Sequence, residues 1–401
     1  MLGHLDAEAR LAEPPITLRA AAVERLSAAA GVLRALALPG DSLWTPQPLD
    51  PRALPAIEWL PAPRVISGAL PSAGAVIPWA TVPGMTDPGM TVAREVGSSA
   101  WSEPASQVPH DGTSSPLQPT RAEGLPLVDA LRRAPRPPLD VQRLVSHRGF
   151  ASELAARFDV GLSGAAWLAN PEALRVHLDS FERAPAQWVL KAPLSAAGEG
   201  LSVQRPERPL DPAHIARAFA RRGELLFEPW ETRAADFGLC AWIDAAGLTQ
   251  IAGLHQLVSD AAGGFRGVVA PALNGSLPAL SAAHEAQLRA TGERVGAALA
   301  AVGHRGPFGI DAYLRAGAAE PASGGSSRLR CLVEINARLS FGHLVHALAE
   351  RARKAGVVSD QQGLALRLGS PRSTPPSAAC ALVQPVEGRG LWAWIEPQDL
   401  T

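Results

Sequence analysis

The stretch Leu332-Val333-Glu334-Ile335-Asn336-Ala337-Arg338-Leu339-Ser340-Phe341-Gly342 decides the reading of this chain. Polar residues alternate with apolar ones from Val333 to Asn336, the period of a strand, so Glu334 and Asn336 point to one face. A second apolar run, Phe308-Gly309-Ile310-Asp311-Ala312-Tyr313-Leu314, also reads as a strand. The polar, small-residue connection Arg315 to Ser327 between them is of the kind that joins neighbouring antiparallel strands, which lets Asp311 join Glu334 and Asn336. Carboxylates gathered among apolar neighbours repel one another unless a cation compensates, and an all-oxygen set suits Mg²⁺ held jointly with phosphates. For any one of these acids a solvated strand end or a salt bridge is an equal reading; three at compatible positions weigh against it.

Upstream, Val189-Leu190-Lys191-Ala192-Pro193-Leu194-Ser195-Ala196-Ala197-Gly198-Glu199-Gly200 is an apolar strand ending on a lysine and opening into a loop of small residues. The backbone amides of such a loop can come close to phosphate oxygens. It is not a Walker A loop, because the lysine precedes the glycines and Gly-Lys-Ser/Thr is absent. Taken alone, a Gly-x-Gly here is most often a simple turn. The lysine adds weight, since of 37 basic residues only Lys191 and Lys354 are not arginine.

Composition excludes several classes. With 37 basic against 38 acidic residues and a net charge of -1, the chain lacks the footprint of a nucleic-acid binder. No run approaches the roughly 20 apolar residues of a membrane span, and the N-terminus lacks a signal-peptide pattern, so a cytoplasmic protein is expected. Three scattered cysteines, Cys240, Cys331 and Cys380, form no Cys-x-x-Cys pair and are expected as reduced thiols. Gly-x-Ser-x-Gly is absent, which disfavours a serine hydrolase. Ten scattered tryptophans read as packing residues.

A length of 401 residues predicts two to three domains. Ala20 to Leu38 has the spacing of an amphipathic helix stopped by Pro39-Gly40, and Arg64-Val65-Ile66 and Ala75-Val76-Ile77 read as short strands. A polar segment over 97–124 in a proline-rich region reads as a flexible insert. From Leu144 onward helices (Phe150 to Phe158, Pro171 to Phe181, Pro212 to Arg222, Ser281 to Val302) alternate with strands (Glu224 to Phe227, Gly238 to Ile243, Thr249 to Leu254), a mixed α/β pattern. A glycine-bearing loop is expected over Ala261 to Gly267. The Pro-rich tract Gly369 to Ser377 is expected to set apart a last strand-like piece, Ala379 to Val383, and Leu391 to Ile395 to close a sheet edge. His255, at a predicted strand end, is a candidate cleft contact, although a hydrogen-bonded structural histidine is the commoner outcome, and Arg266 is a secondary candidate for clamping a carboxylate or acyl phosphate.

The order of motifs, Lys-x-Pro before a small-residue loop, then Leu226-Phe227-Glu228-Pro229-Trp230, then Asp311, then Glu334-Ile335-Asn336-Ala337-Arg338, resembles the ATP-grasp superfamily over roughly Leu144 to Leu348. The resemblance implies an α/β (α+β) fold of two lobes cradling ATP, preceded by a shortened Rossmann-like pre-ATP-grasp region. It divides the chain into 1–140, an ATP-grasp domain over 141–370 with its hinge near 224–230, and a strand-forming tail over 371–401. Carried over position by position, Lys191 contacts the nucleotide phosphates, while Ser195, Gly198 and Gly200 belong to the loop that closes over them. Glu228, Pro229 and Trp230 lie near the base, and Asp236 is the ribose candidate. Asp311, Glu334 and Asn336 become Mg²⁺ ligands, Mn²⁺ being the other ion they would accept, and Arg338 sits beside the reacting phosphate. The chain departs from the pattern at Arg148, which stands where relatives carry a phosphate-contacting lysine and is not its equivalent, and in its shortened N-terminal region. The resemblance implies a ligase that activates a small carboxylate as an acyl phosphate for attack by an amine or other nucleophile, with a homodimer as the common assembly. A phosphotransferase without ligation and a non-catalytic ATP-binding regulatory protein are the alternatives.

Overall fold

The computed structural model of the protein describes residues 11, 20–45, 47–67, 127–194, 201–260, 264–317 and 329–399. The run 75–77, the segment 97–124 and the loop over Ser195 to Gly200 lie outside the described residues. Helix α1 (Ala20–Ala29) tightens into a 3₁₀ turn, Ala30–Leu36, whose residues are all buried. The sequence predicts one continuous helix there. The turn instead presses Gly31 so closely on the core that a Cβ would lie 2.7 Å from Leu54 and 2.8 Å from Val383. Strands β1 (Ser42–Thr45) and β2 (Arg64–Ser67) then pair in parallel, a small sheet of two.

Three helices follow: α2 (Leu127–Arg133), α3 (Leu139–Ser146) and α4 (Arg148–Arg157). The next unit holds β3 (Ala166–Leu168), α5 (Pro171–Asp179), β4 (Trp188–Lys191), β5 (Leu201–Gln204), α6 (Pro212–Arg222) and β6 (Leu225–Pro229). Its strands form an antiparallel sheet in the order β3-β6-β4-β5. Both helices start where the sequence signals it: the side chains of Asn170 and Asp211 accept from the amides of Ala173 and Ala213, each followed by proline at the first helical position. Leu174 and Phe219 on these helices share a core with Trp188, Leu190, Leu225 and Phe227 of the sheet.

The larger unit adds β7 (Arg233–Ile243), β8 (Thr249–Ser259), β9 (Phe265–Ala270), α7 (Ala282–Ala301), β10 (Gly306–Arg315), β11 (Leu329–Asn336), α8 (Phe341–Lys354), β12 (Gly363–Gly369), β13 (Cys380–Val383) and β14 (Trp392–Gln398). Eight strands form one antiparallel sheet in the order β11-β10-β7-β8-β9-β12-β14-β13. Leu288, Val295 and Leu299 of α7 share a core with Phe150 and Leu154 of α4 and with Leu239, Ile310 and Ile335. Val345, Leu348 and Ala352 of α8 share another with the 3₁₀ turn and with β12, β13 and β14. The fold is mixed α/β with three hydrophobic cores, one on the smaller sheet and two on the larger. Among the described residues no helix is long and apolar enough to cross a membrane.

Two expectations are corrected. The supposed loop Ala261 to Gly267 becomes strand from Phe265, because the buried run Gly267 to Ala270 pairs on both sides, with β8 and with β12. Gly267 is required there, since a Cβ would lie 2.4 Å from the Leu366 carbonyl oxygen. The Pro-rich tract does not detach the C-terminal strands either: β14 lies between β12 and β13, and the edge falls to β13. Helices α2, α3 and α8 and strands β1, β5 and β12 escaped the sequence reading.

One buried side chain locks the key segment. Gln142 of α3 is 1% exposed and donates to the Ala337 carbonyl at 2.8 Å, in the middle of Glu-Ile-Asn-Ala-Arg. Removing the donor strands a buried carbonyl, which costs about 1–3 kcal/mol. Gln142→Ala is expected to lower the urea unfolding midpoint accordingly, and an unchanged midpoint would show that this bond is dispensable.

Candidate functional site

The two sheets meet through a buried carboxylate. On the smaller sheet the pairs Lys191↔Leu226 and Val189↔Glu228 set Lys191 and Glu228 diagonally on one face. Lys191 Nζ lies 2.6 Å from Glu228 Oε2, and Arg330 Nη2, from β11 of the larger sheet, lies 2.6 Å from Glu228 Oε1. The Glu228 and Arg330 side chains are each 6% exposed. The connection continues: Arg330 Nη1 donates to the Tyr313 hydroxyl at 3.2 Å, Tyr313 donates to Glu231 at 2.5 Å, and Arg315 donates to Glu231 at 3.1 Å. Burial alone would raise the Glu228 carboxyl, but Lys191 and Arg330 overcome it and hold the group down at about 2. Burial lowers the Lys191 ammonium, and Glu228 opposes that; flanked by two cations, the carboxylate stays ionised.

Beside this link the cross-strand pairs Asp311↔Glu334 and Gly309↔Asn336 bring all three predicted oxygen ligands onto one face. Asn336 donates its amide to Asp311 at 3.2 Å, which leaves its amide oxygen as a further acceptor. Arg148 closes the other side: its guanidinium lies 3.1 Å from Glu334 and donates to the Ala192 carbonyl at 2.5 Å, while its backbone amide donates to the Pro193 carbonyl at 2.9 Å. Arg148 thus connects the start of α4, the end of the Lys191 strand and the acidic face. Loss of solvent and the Glu334 charge push the Asp311 carboxyl up to about 7. Glu334, although burial works against its charge, is lowered by Arg148, Lys191 and Arg338. Two adjoining carboxyl groups driven in opposite directions, with an amide oxygen alongside, offer an all-oxygen donor set of the type that hard divalent cations take.

The remaining predicted residues are placed as follows. Arg338 stands just past β11, half-buried, its charge acting on Asp311 and Glu334. Pro229 ends β6; the Trp230 amide donates to the Gln187 carbonyl at 3.0 Å, and the guanidiniums of Arg205 and Arg233 lie 5.7 and 5.8 Å from the indole centroid. Asp236 pairs with Arg233 at 3.0 Å and shares the face of Asp311. Ser195, Gly198 and Gly200 lie outside the described residues. Arg266 pairs with Asp260 at 2.7 Å on the surface. His255 is 4% exposed, beneath Gly342 of α8, and among the described residues its Nδ1 has no hydrogen-bond partner, so it is neither a cleft contact nor hydrogen-bonded at that atom. Arg330, Tyr313 and Glu231 escaped the sequence reading. An arginine four residues before Glu334 on an apolar strand was the available signal.

No family model matches the sequence, and no curated protein matches it. Among solved structures the chain is similar to ATP-grasp enzymes. One is biotin carboxylase of Campylobacter jejuni, solved as a β-γ-ATP complex, at 13% identity over 66% of this chain and 65% of that one, with a TM-score of 0.46. Others are N5-carboxyaminoimidazole ribonucleotide synthetase of Thermus thermophilus (17%, 66% and 70%, TM-score 0.45) and phosphoribosylamine–glycine ligase of Thermotoga maritima (14%, 66% and 74%, TM-score 0.46). The chain spans just under two thirds of the length of the biotin carboxylase it matches. At these identities the likeness is one of general arrangement, and the chemistry is read from the residues above.

Two outcomes follow from the electrostatics. Glu228→Gln leaves two buried cations without their counter-charge, an expected loss of about 3–5 kcal/mol in urea unfolding at neutral pH. Because the folded carboxyl titrates at about 2 against an ordinary 4.5, the pair's contribution is present above about pH 4.5 and fades toward pH 2, so the difference between wild type and variant must shrink on acidification. Asp311 has the opposite sign: its group is raised from 3.8 to about 7, so its contribution is complete below about pH 4 and lost as pH rises through 7. Asp311→Asn is expected to be more stable than wild type at pH 8 by about 1–2 kcal/mol in the absence of divalent cations, a figure below the full linkage value because the carboxyl keeps part of its contact with water. A less stable variant at pH 8 would refute that reading.

Proposed function

We propose that the chain binds ATP with a divalent cation between its two sheets and uses it to activate a small-molecule carboxylate for attack by an amine or another nucleophile. The observation that carries this reading is the convergence of Asp311, Glu334, Asn336 and Arg148 at the foot of the strand that bears Lys191. In this reading Asp311, Glu334 and Asn336 hold the cation, Mg²⁺ or Mn²⁺, which neutralises phosphate charge when bound. Lys191 and Arg148 offset phosphate charge from the smaller-sheet side, and Trp230 offers a flat face beside the hinge. In the same reading Arg338 stabilises charge developing on the transferred group. The γ-phosphoryl group passes to a carboxylate oxygen with release of ADP; the nucleophile then displaces phosphate from the acyl carbon and loses its proton. The protein contributes orientation and charge neutralisation.

A second reading, nucleotide binding without turnover, is favoured by one observation: Lys191 is already engaged by Glu228 at 2.6 Å. For Lys191 to reach a phosphate, Arg330 must take over the neutralisation of Glu228. The two readings separate in one experiment.

Wild type is expected to gain thermal stability from ATP with Mg²⁺ and not from ATP with a chelator, while Lys191→Ala and Glu334→Ala lose the gain and keep a native circular-dichroism spectrum. ADP release with a pooled set of carboxylates and amines identifies a ligase. Tight binding with no ADP release identifies the second reading, and no Mg²⁺-dependent binding in wild type sinks both.

A further inference from the structure

The unpaired buried histidine has a setting of its own, independent of the nucleotide site. Cys240 on β7, His255 on β8 and His346 on α8 each offer a ligand atom, and these atoms lie within 4.8 Å of one another. Their separation in sequence hides the group: strand pairing sets Cys240 opposite Gly253 and Gly238 opposite His255, and α8 then lowers His346 onto Gly253. Three glycines make the space. A Cβ would lie 2.4 Å from His255 Nε2 at Gly238, 2.2 Å from His255 Cε1 at Gly342, and 2.3 Å from His346 Cε1 at Gly253. Gly342 and His346 are four residues apart on one face of α8, so the helix covers both rings at once.

The donors fit one kind of ligand. His346 Nε2 lies 3.1 Å from the Leu254 carbonyl, which fixes the proton there and leaves Nδ1 with a free lone pair. His255 Nδ1 is buried with no hydrogen-bond partner among the described residues, an arrangement that costs free energy unless something occupies it. His343 is not a further donor, because its ring nitrogens are spent on Ser340 and the Ala241 carbonyl. Burial keeps both imidazoles neutral, with His346 down at about 3 and His255 well below its ordinary value. A thiol and two neutral imidazoles select a borderline-soft divalent cation over Mg²⁺ or Ca²⁺.

We propose that Cys240, His255 and His346 form a Zn²⁺ site that ties β7, β8 and α8 together. In a tetrahedral site the ligand atoms stand roughly 3.5 Å apart, so small side-chain rotations inside the glycine cradle close the set. A water or small anion fills the fourth position. Binding converts the Cys240 thiol to a zinc-bound thiolate, and its proton leaves to solvent.

The test uses the full chain, stripped with chelator and titrated with Co²⁺ and then Zn²⁺. Wild type is expected to bind one equivalent of Co²⁺ with a thiolate-to-cobalt charge-transfer band in the near ultraviolet, displaced by Zn²⁺. The band should vanish in Cys240→Ser, weaken at least tenfold in apparent affinity in His346→Gln, and persist in Glu334→Gln, which separates this site from the carboxylate set. Should Cys240→Ser fail to fold, Zn-edge X-ray absorption on wild type decides, with one sulfur and two nitrogens expected in the shell. Absence of the band in wild type, its retention in folded Cys240→Ser, or an all-oxygen zinc shell would each overturn the proposal.

Discussion

A carboxylate in a solvent-poor environment must be paired, and Glu228 is paired twice, once within its own sheet by Lys191 and once across to the other sheet by Arg330. Removing either partner leaves an uncompensated charge, so the contact is held by the cost of breaking it more than by its net gain. The link joins the smaller sheet to β11 of the larger one. It orients Lys191, and it anchors the β11 strand on which Glu334 and Asn336 lie further along. Through Tyr313 and Glu231 it also steadies the entry into β7.

On that frame the acidic face is poised rather than satisfied. Glu334 has Arg148 to keep it ionised; Asp311 has mainly an amide and a like-charged neighbour, and its carboxyl is pushed up to about 7. The contrast is set by which residues surround each group, since the two carboxyl groups are cross-strand neighbours. Arg148 has a second consequence. Because it bonds the backbone at Ala192 and Pro193 as well as Glu334, the start of the small-residue loop is coupled to the state of the acidic face.

The segment after Arg338 completes the arrangement. A capping box between Ser340 and His343 starts α8 immediately beyond the strand, and Gly342 allows the helix to settle directly on His255. The helix therefore packs on the face that carries the acidic residues, and it shares a core with the 3₁₀ turn and the C-terminal strands. A bulkier residue at 342 would force α8 off the sheet.

Periodicity along the chain was enough for the α/β class, most helices and strands after Leu144, and the shared face of Glu334 and Asn336, because side-chain direction on a strand depends only on local backbone geometry. Proline and capping residues likewise marked α5 and α6. Strand β9 was not legible, since a glycine-rich stretch becomes strand only when both neighbours supply hydrogen bonds, and β12 to β14 join the main sheet through pairings that no local signal encodes. The ion pairs Lys191–Glu228, Glu228–Arg330 and Arg148–Glu334, and the meeting of Cys240, His255 and His346, join residues 15 to 186 positions apart. Which residue types the chain offers was written in its sequence; which of them face one another, and so which carboxyl stays charged and which does not, was decided by tertiary pairing, because electrostatic and ligand interactions depend on distance in space and not on distance along the chain.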